Sequence, residues 1–110
     1  MEEAELNIRT FTPEETRELA RAIQAKYGLG EDYYLTLKGE SMDFTWNDQS
    51  LIEANGPNGR EDSWGICQIH LPSHPTVTKE QALNPYWCMH WTAQHFVDGN
   101  ATMWSVYNDL

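Results

Sequence analysis

Apolar residues recur at helical spacing in three stretches of the chain. Leu19, Ile23 and Tyr27 stand four residues apart, which lines them up as one stripe on a helix. Ahead of them, Thr12-Pro13-Glu14-Glu15 is a start signal: a hydroxyl to cap, a proline for the first turn and a glutamate to close a capping box. Gly28 and Gly30 bracket the stop. A second helix is predicted over Asp32 to Ser41, with Tyr33, Leu37 and Glu40 on one face at i, i+4 and i+7. Thr78-Lys79-Glu80-Gln81 is another capping-box start. The third long pattern is opened by Asn84-Pro85, runs over residues 85–97 and is ended by Gly99. Trp87 and Trp91 share one of its faces, and Met89, Ala93, Phe96 and Val97 another. Asn100 is expected to cap a last turn holding Met103, Trp104 and Tyr107.

Residues 43–63 break this rhythm. Asn47, Asp48, Asn55, Gly56, Pro57, Asn58 and Gly59 mark turns and predict an irregular loop or short hairpin. Trp64 to Ile69 is then a compact apolar run, closed by Pro72 and Pro75. No internal repeat or low-complexity tract is visible. The expectation is a mainly α fold: one small helical domain over 12–110 with one long polar loop or short hairpin, behind a lead-in at 1–11. A length of 110 residues suits one domain with a workable core.

The chain is 40% hydrophobic, with 5 Trp, 5 Tyr and 3 Phe, too much apolar mass for a disordered chain. The formal net charge of -10, from 17 acids and 7 Lys or Arg, argues against nucleic acid, whose binding rests on neutralising phosphates. It also argues against an anionic membrane surface. No apolar stretch approaches the roughly 20 residues of a bilayer span, and no basic-then-apolar leader opens the chain. The two cysteines, Cys67 and Cys88, read as buried thiols acting as small apolar side chains, with a disulfide suited to an oxidising compartment as the alternative.

Glu40 is the first candidate for chemistry. Its spacing puts it on the apolar face near the helix's C-terminal end, where partial desolvation and the negative end of the helix dipole both favour the protonated form. A general acid working near neutral pH needs that. Spacing alone equally allows an ordinary glutamate pointing to water. Trp46, Trp64, Trp87, Trp91, Trp104 and Tyr107, with Gln68, Asn58 and Asn108, would suit a saccharide, which offers an apolar ring face and hydroxyls. Aromatics at helical spacing otherwise pack into a core.

Taken in order, four motifs carry a resemblance: Glu40-Ser41 after a helix, Ser63-Trp64-Gly65-Ile66-Cys67-Gln68-Ile69 beyond a polar loop, Asn84-Pro85 opening a later helix, and Val106-Tyr107-Asn108 near the end. Over residues 12–108 the chain resembles the soluble lytic transglycosylase and goose-type lysozyme superfamily. The resemblance implies an α+β lysozyme-like fold with a substrate groove, and cleavage of the β-1,4 bond between N-acetylmuramic acid and N-acetylglucosamine in peptidoglycan. It implies Glu40 as the single catalytic acid/base and lytic transglycosylation ahead of lysozyme-type hydrolysis. Ser41 would orient Glu40 or the substrate, Gly65, Ile66 and Gln68 would line the groove, Tyr107 would hydrogen-bond close to Glu40, and Asn108 would support that corner. No cofactor and no metal are implied. The partner would be the glycan strand, the chain a monomer, and the setting extracytoplasmic. The sequence departs from the family pattern at Met42-Asp43-Phe44, at Cys67 and His70, and at Asp109-Leu110, where the family continues into a further helix.

Hydrolysis by the usual pair of carboxylates would need a second acid, and Asp43, Asp48, Glu53, Glu61 and Asp62 are the candidates. A non-catalytic wall-binding module on the same scaffold is the main rival, since fold does not fix function. A zinc enzyme is disfavoured: Pro72 interrupts His70 and His74, and His90 and His95 do not share a helical face. Asn100-Ala101-Thr102 matches a glycosylation acceptor but reads more simply as a helix cap.

Overall fold

The computed structural model describes residues 12–44 and 63–110. The lead-in and most of the polar loop, with Trp46, Asp48, Glu53, Asn58, Glu61 and Asp62, lie outside the described residues. Helices hold 65% of what is described and strands 5%, so the domain is mainly α.

Helix α1, Pro13–Tyr27, begins and ends where its signals stand. Thr12 and Glu15 close a reciprocal capping box, and Gly28 turns left-handed at φ 66° to end the helix. Thr16, Ala20 and Ile23 are buried, with Leu19 and Tyr27 at the edge of the core. Helix α2, Glu31–Glu40, starts from Gly30. Arg21 clamps the α1–α2 corner with two hydrogen bonds to Glu31, at 2.9 and 3.0 Å, while its guanidinium stacks 3.5 Å from the Tyr34 ring. Tyr33 and Leu37 are fully buried.

Strands β1, Ser63–Trp64, and β2, Ile69–His70, pair antiparallel with Ser63 opposite His70. The hairpin therefore forms within the apolar run, around Gly65 to Gln68. Gly65 has φ 77°, and a Cβ there would stand 2.1 Å from the Ala82 carbonyl oxygen. Only glycine meets both conditions. A 3-10 turn at Leu71–Ser73 leads to helix α3, Lys79–Leu83, with its Thr78–Gln81 capping box. Helix α4, Pro85–Val97, follows directly, the Asn84 side chain accepting from Tyr86 and Trp87 N–H. Another 3-10 turn, Ala101–Met103, precedes the short helix α5, Ser105–Asn108.

Helix α4 is the pillar of the core. The Tyr33 hydroxyl donates to the Met89 carbonyl at 2.8 Å, and Tyr27 hydrogen-bonds His90 Nδ1 at 2.9 Å. Burial pushes the Tyr33 phenol far above its ordinary range. Cys67 and Cys88 form a disulfide that joins the hairpin turn to α4 across a separation of 21 residues, their Cα atoms 6.1 Å apart. This corrects the expectation of two thiols. Both side chains are buried, as free cysteines commonly are, but the hairpin turn folds back onto α4, which sequence spacing does not reveal. Two smaller corrections belong here. Val97 is 52% exposed, because it stands in the last turn of α4 beyond its packed face. The Asn100 side chain caps nothing; its backbone carbonyl accepts from Met103 instead.

Candidate active site

Glu40 is the last residue of α2 and is half-buried. Its Oε2 accepts the Val106 backbone N–H at 3.2 Å, tying the end of α2 to the first turn of α5. The helices meet closely there: a Cβ on Gly39 would lie 2.6 Å from Val106 Cγ1. Glu40-Ser41 and Val106-Tyr107-Asn108, 66 residues apart for the bonded pair, thus come together in space.

The chain after Glu40 is unusual. Met42, Asp43 and Phe44 are all left-handed, with φ of 51°, 60° and 65°, a conformation that costs non-glycine residues roughly 1–2 kcal/mol each. Named bonds hold it. Asp43 N–H donates to the Lys38 carbonyl at 2.7 Å, and Phe44 N–H to Ser41 Oγ at 2.8 Å. Ser41 Oγ itself donates to the Leu37 carbonyl at 2.6 Å. Ser41 is fully buried, so it shapes the turn behind Glu40 and offers nothing to a ligand. Asp43, the one described candidate for a second carboxylate, pairs with Arg17 at 3.6 Å.

The other predicted site residues are placed as follows. Gly65 and Ile66 are buried in the hairpin turn against α3 and the core. Gln68, at φ 51°, donates from Nε2 to the Gly65 carbonyl at 2.8 Å and closes that turn. The Tyr107 ring packs edge-on against Phe96, with centroids 5.5 Å apart, and lines a hollow with Leu29, Gly30 and Asp32. That hollow is at the start of α2, roughly 13 Å along the helix axis from Glu40 at 1.5 Å per residue. The contact given to the Tyr107 ring is thus with Phe96, and the expected hydrogen bond close to Glu40 is not among its described contacts. Asn108 donates to the Thr102 carbonyl at 3.1 Å and steadies the preceding 3-10 turn.

A second concavity lies elsewhere. Gln68, His70, His74, Trp91, Met103 and Trp104 line a cavity of about 380 Å³ that does not include Glu40. Trp104 is held by its Nε1–H, which donates to the Cys67 carbonyl at 2.8 Å. His74 sits 4.9 Å from the Trp91 ring centre, and its pKa is lowered by burial first and by His95 and His70 second. Lys26, Tyr86, Trp87 and His90, again with Trp91, line a further cavity of about 400 Å³. Trp87 and Trp91 stack at 6.3 Å, as their shared helical face requires. Trp64, by contrast, is buried with Lys79 Nζ 4.2 Å from its ring centre. Among the described residues no three His, Cys, Asp or Glu are grouped to hold a metal ion.

The place of Trp91 in the lining of two cavities was hidden in the sequence, where its spacing from Trp87 also suits a core. The one available signal was that two of the four histidines, His90 and His95, fall within four residues of Trp91.

No family model, curated protein or solved structure matches this chain.

Proposed function

We propose that this domain cleaves glycan strands of peptidoglycan at the β-1,4 bond between N-acetylmuramic acid and N-acetylglucosamine, as a lysozyme-like lytic transglycosylase with Glu40 as its acid/base. The observation that carries the reading is the meeting of Glu40 with the backbone of the Val106-Tyr107-Asn108 segment, since the resemblance expects those two distant motifs to build one corner. Glu40 is half-buried at the rim of the Tyr33–Leu37 face, where a carboxyl group can reach both protein and ligand.

In the proposed reaction protonated Glu40 gives its proton to the glycosidic oxygen, and the bond to C1 of the muramic acid breaks. The resulting carboxylate then takes the proton of the same sugar's C6 hydroxyl as that oxygen bonds to C1. A 1,6-anhydro end forms, no water is consumed and Glu40 is protonated again. The Cys67–Cys88 bond supports an extracytoplasmic setting. Among the described residues no helix is long and apolar enough to cross a membrane.

The test is digestion of purified sacculi followed by mass spectrometry. The wild type should release anhydro-muropeptides, and Glu40→Gln should lower release by at least about 100-fold, the scale of a lost general acid. Reducing ends would instead mark a hydrolase. A second reading, a binding module without catalysis, is favoured by one observation: the Trp91 cavity lies apart from Glu40. Absence of any released fragment from wild-type digests would favour that module and end the enzymatic reading.

A further inference from the structure

Two imidazoles from different parts of the chain pack on one indole. His74, just past the 3-10 turn at Leu71–Ser73, sets its ring centre 4.9 Å from that of Trp91, at 84°. His95, one turn further along α4, lies 4.1 Å from the same ring, and the two imidazoles stand 6.2 Å apart. His95 Nδ1 is buried and has no hydrogen-bond partner among the described residues. His70, at the start of the turn, hydrogen-bonds Ser73 Oγ at 2.7 Å. Burial first, then His95 and His70, hold the His74 pKa below the ordinary imidazole value.

The segment that carries His74 is lightly fastened. The β1–β2 ladder ahead of it is two residues long and ends at His70. The bonds from His74 N–H to the Leu71 carbonyl and from Val77 N–H to the His74 carbonyl, both 2.9 Å, stay within the segment. Its ties to the rest of the described fold are side-chain packing: Leu71 and Val77 against the core, and His74 against Trp91. His70, Ser73 and His74 also line the cavity of about 380 Å³ that Trp91, Met103 and Trp104 share.

We propose that His74 and His95 form with Trp91 a pH-sensitive latch, which holds the 70–77 segment on α4 at neutral pH and releases it in mild acid, widening that cavity. Neutral imidazoles pack on an indole as ordinary aromatic rings. One imidazolium is tolerated there, because an indole attracts a cation. A second charge 6.2 Å from the first is repelled by it, and would add a proton to a ring whose buried Nδ1 meets no acceptor. With the segment released, both rings reach water and both can charge. The closed state therefore binds fewer protons, so closure is favoured above the ordinary imidazole range, near pH 6.5, and is lost as the pH falls below it. Among the described residues, the charges that bear on His74 are His95 and His70. Trp91 and Trp104, packed on His95, carry none, and the 3-10 turn at Ala101–Met103 has no titratable side chain. Asp98, nearly one turn beyond His95 on α4, is engaged by Gln94 Nε2 at 3.2 Å. The latch contains none of the proposed catalytic machinery and stands whether or not Glu40 cleaves.

Hydrogen exchange of the full chain, read by mass spectrometry at about pH 7.5 and about pH 5 on either side of the imidazole range, tests the proposal. Rates are corrected for the intrinsic effect of pH on exchange, and circular dichroism at each pH checks that the chain is folded. In the wild type the protection of the 70–77 segment should fall about tenfold in acid, the factor carried by one unit of displaced titration. Helix α1 should keep its protection. His74→Phe keeps an aromatic ring on Trp91 but cannot charge, so its 70–77 segment should be protected equally at both pH values. His74→Gln should also lose the pH dependence, at a lower protection, and decides the matter if the phenylalanine variant does not fold. Unchanged protection in the wild type, a loss shared by α1, or a loss that persists in a folded His74 variant would each overturn the proposal.

Discussion

Ser41 shows how much one hydroxyl can settle. It donates to the Leu37 carbonyl and accepts from Phe44 N–H, at 2.6 and 2.8 Å, with no exposure to solvent. Removing it strands the Phe44 N–H in a turn whose three left-handed residues already carry strain. Ser41→Ala should therefore lower stability by about 1–3 kcal/mol, the cost of an unsatisfied buried group, measured as a shift of the urea midpoint. A variant as stable as the wild type would mean that the turn after Glu40 is held by other bonds. Motif order singles out Ser41 in the sequence, but not its use. A serine after a helical glutamate reads equally as a ligand contact or as a turn residue, and only the positions of Leu37 and Phe44 decide between them.

At the scale of elements, the contact between α2 and α5 holds Glu40. Gly39 lies in the last turn of α2, where alanine should normally gain about 1 kcal/mol of helix propensity. Here the added Cβ would meet Val106 Cγ1 at 2.6 Å. Gly39→Ala should push α5 away, break the bond between Glu40 and Val106 N–H, and reduce release of fragments from sacculi. Val106→Ala in the same chain should restore it, because the two substitutions share one space. Full activity in the single variant would show that the α2–α5 contact does not position Glu40. The start and stop of α1, the start of α3 and both ends of α4 were legible beforehand. Capping boxes, Asn84-Pro85 and a left-handed glycine act through neighbours in sequence. The β1–β2 hairpin in the apolar run was not read from the sequence, because strand pairing is set by the partner as well as by the segment; the irregular loop or short hairpin expected over 43–63 lies almost wholly outside the described residues.

Across the whole molecule, the disulfide links the part of the chain that bears Gln68 to the helix that bears Trp91. It closes a loop of 21 residues in the unfolded chain, which by loop entropy stabilises the fold by roughly 3 kcal/mol. Reduction, or Cys67→Ser with Cys88→Ser, should lower the urea midpoint accordingly. Trp104, whose Nε1–H is bonded to the Cys67 carbonyl, should report the change in its fluorescence. Identical denaturation curves with and without reductant would show that the core around α4 is sufficient by itself. The same architecture gathers the four histidines. His70 ends β2, His74 follows the 3-10 turn, and His90 and His95 stand on α4 itself.

By itself the sequence determined the helical class, most helix ends, the buried stripe of α1 and the face of α2 that carries Tyr33, Leu37 and Glu40. Those features follow from periodicity and from hydrogen bonds that span a few residues. Tertiary structure alone decided that Cys67 reaches Cys88, that Glu40 is met by Val106, that Tyr107 turns toward Phe96, and that Trp91 lines two cavities. Each of these joins groups from distant parts of the chain or depends on the angle at which two helices cross. Such distances arise from packing, to which the order of residues along one segment is blind.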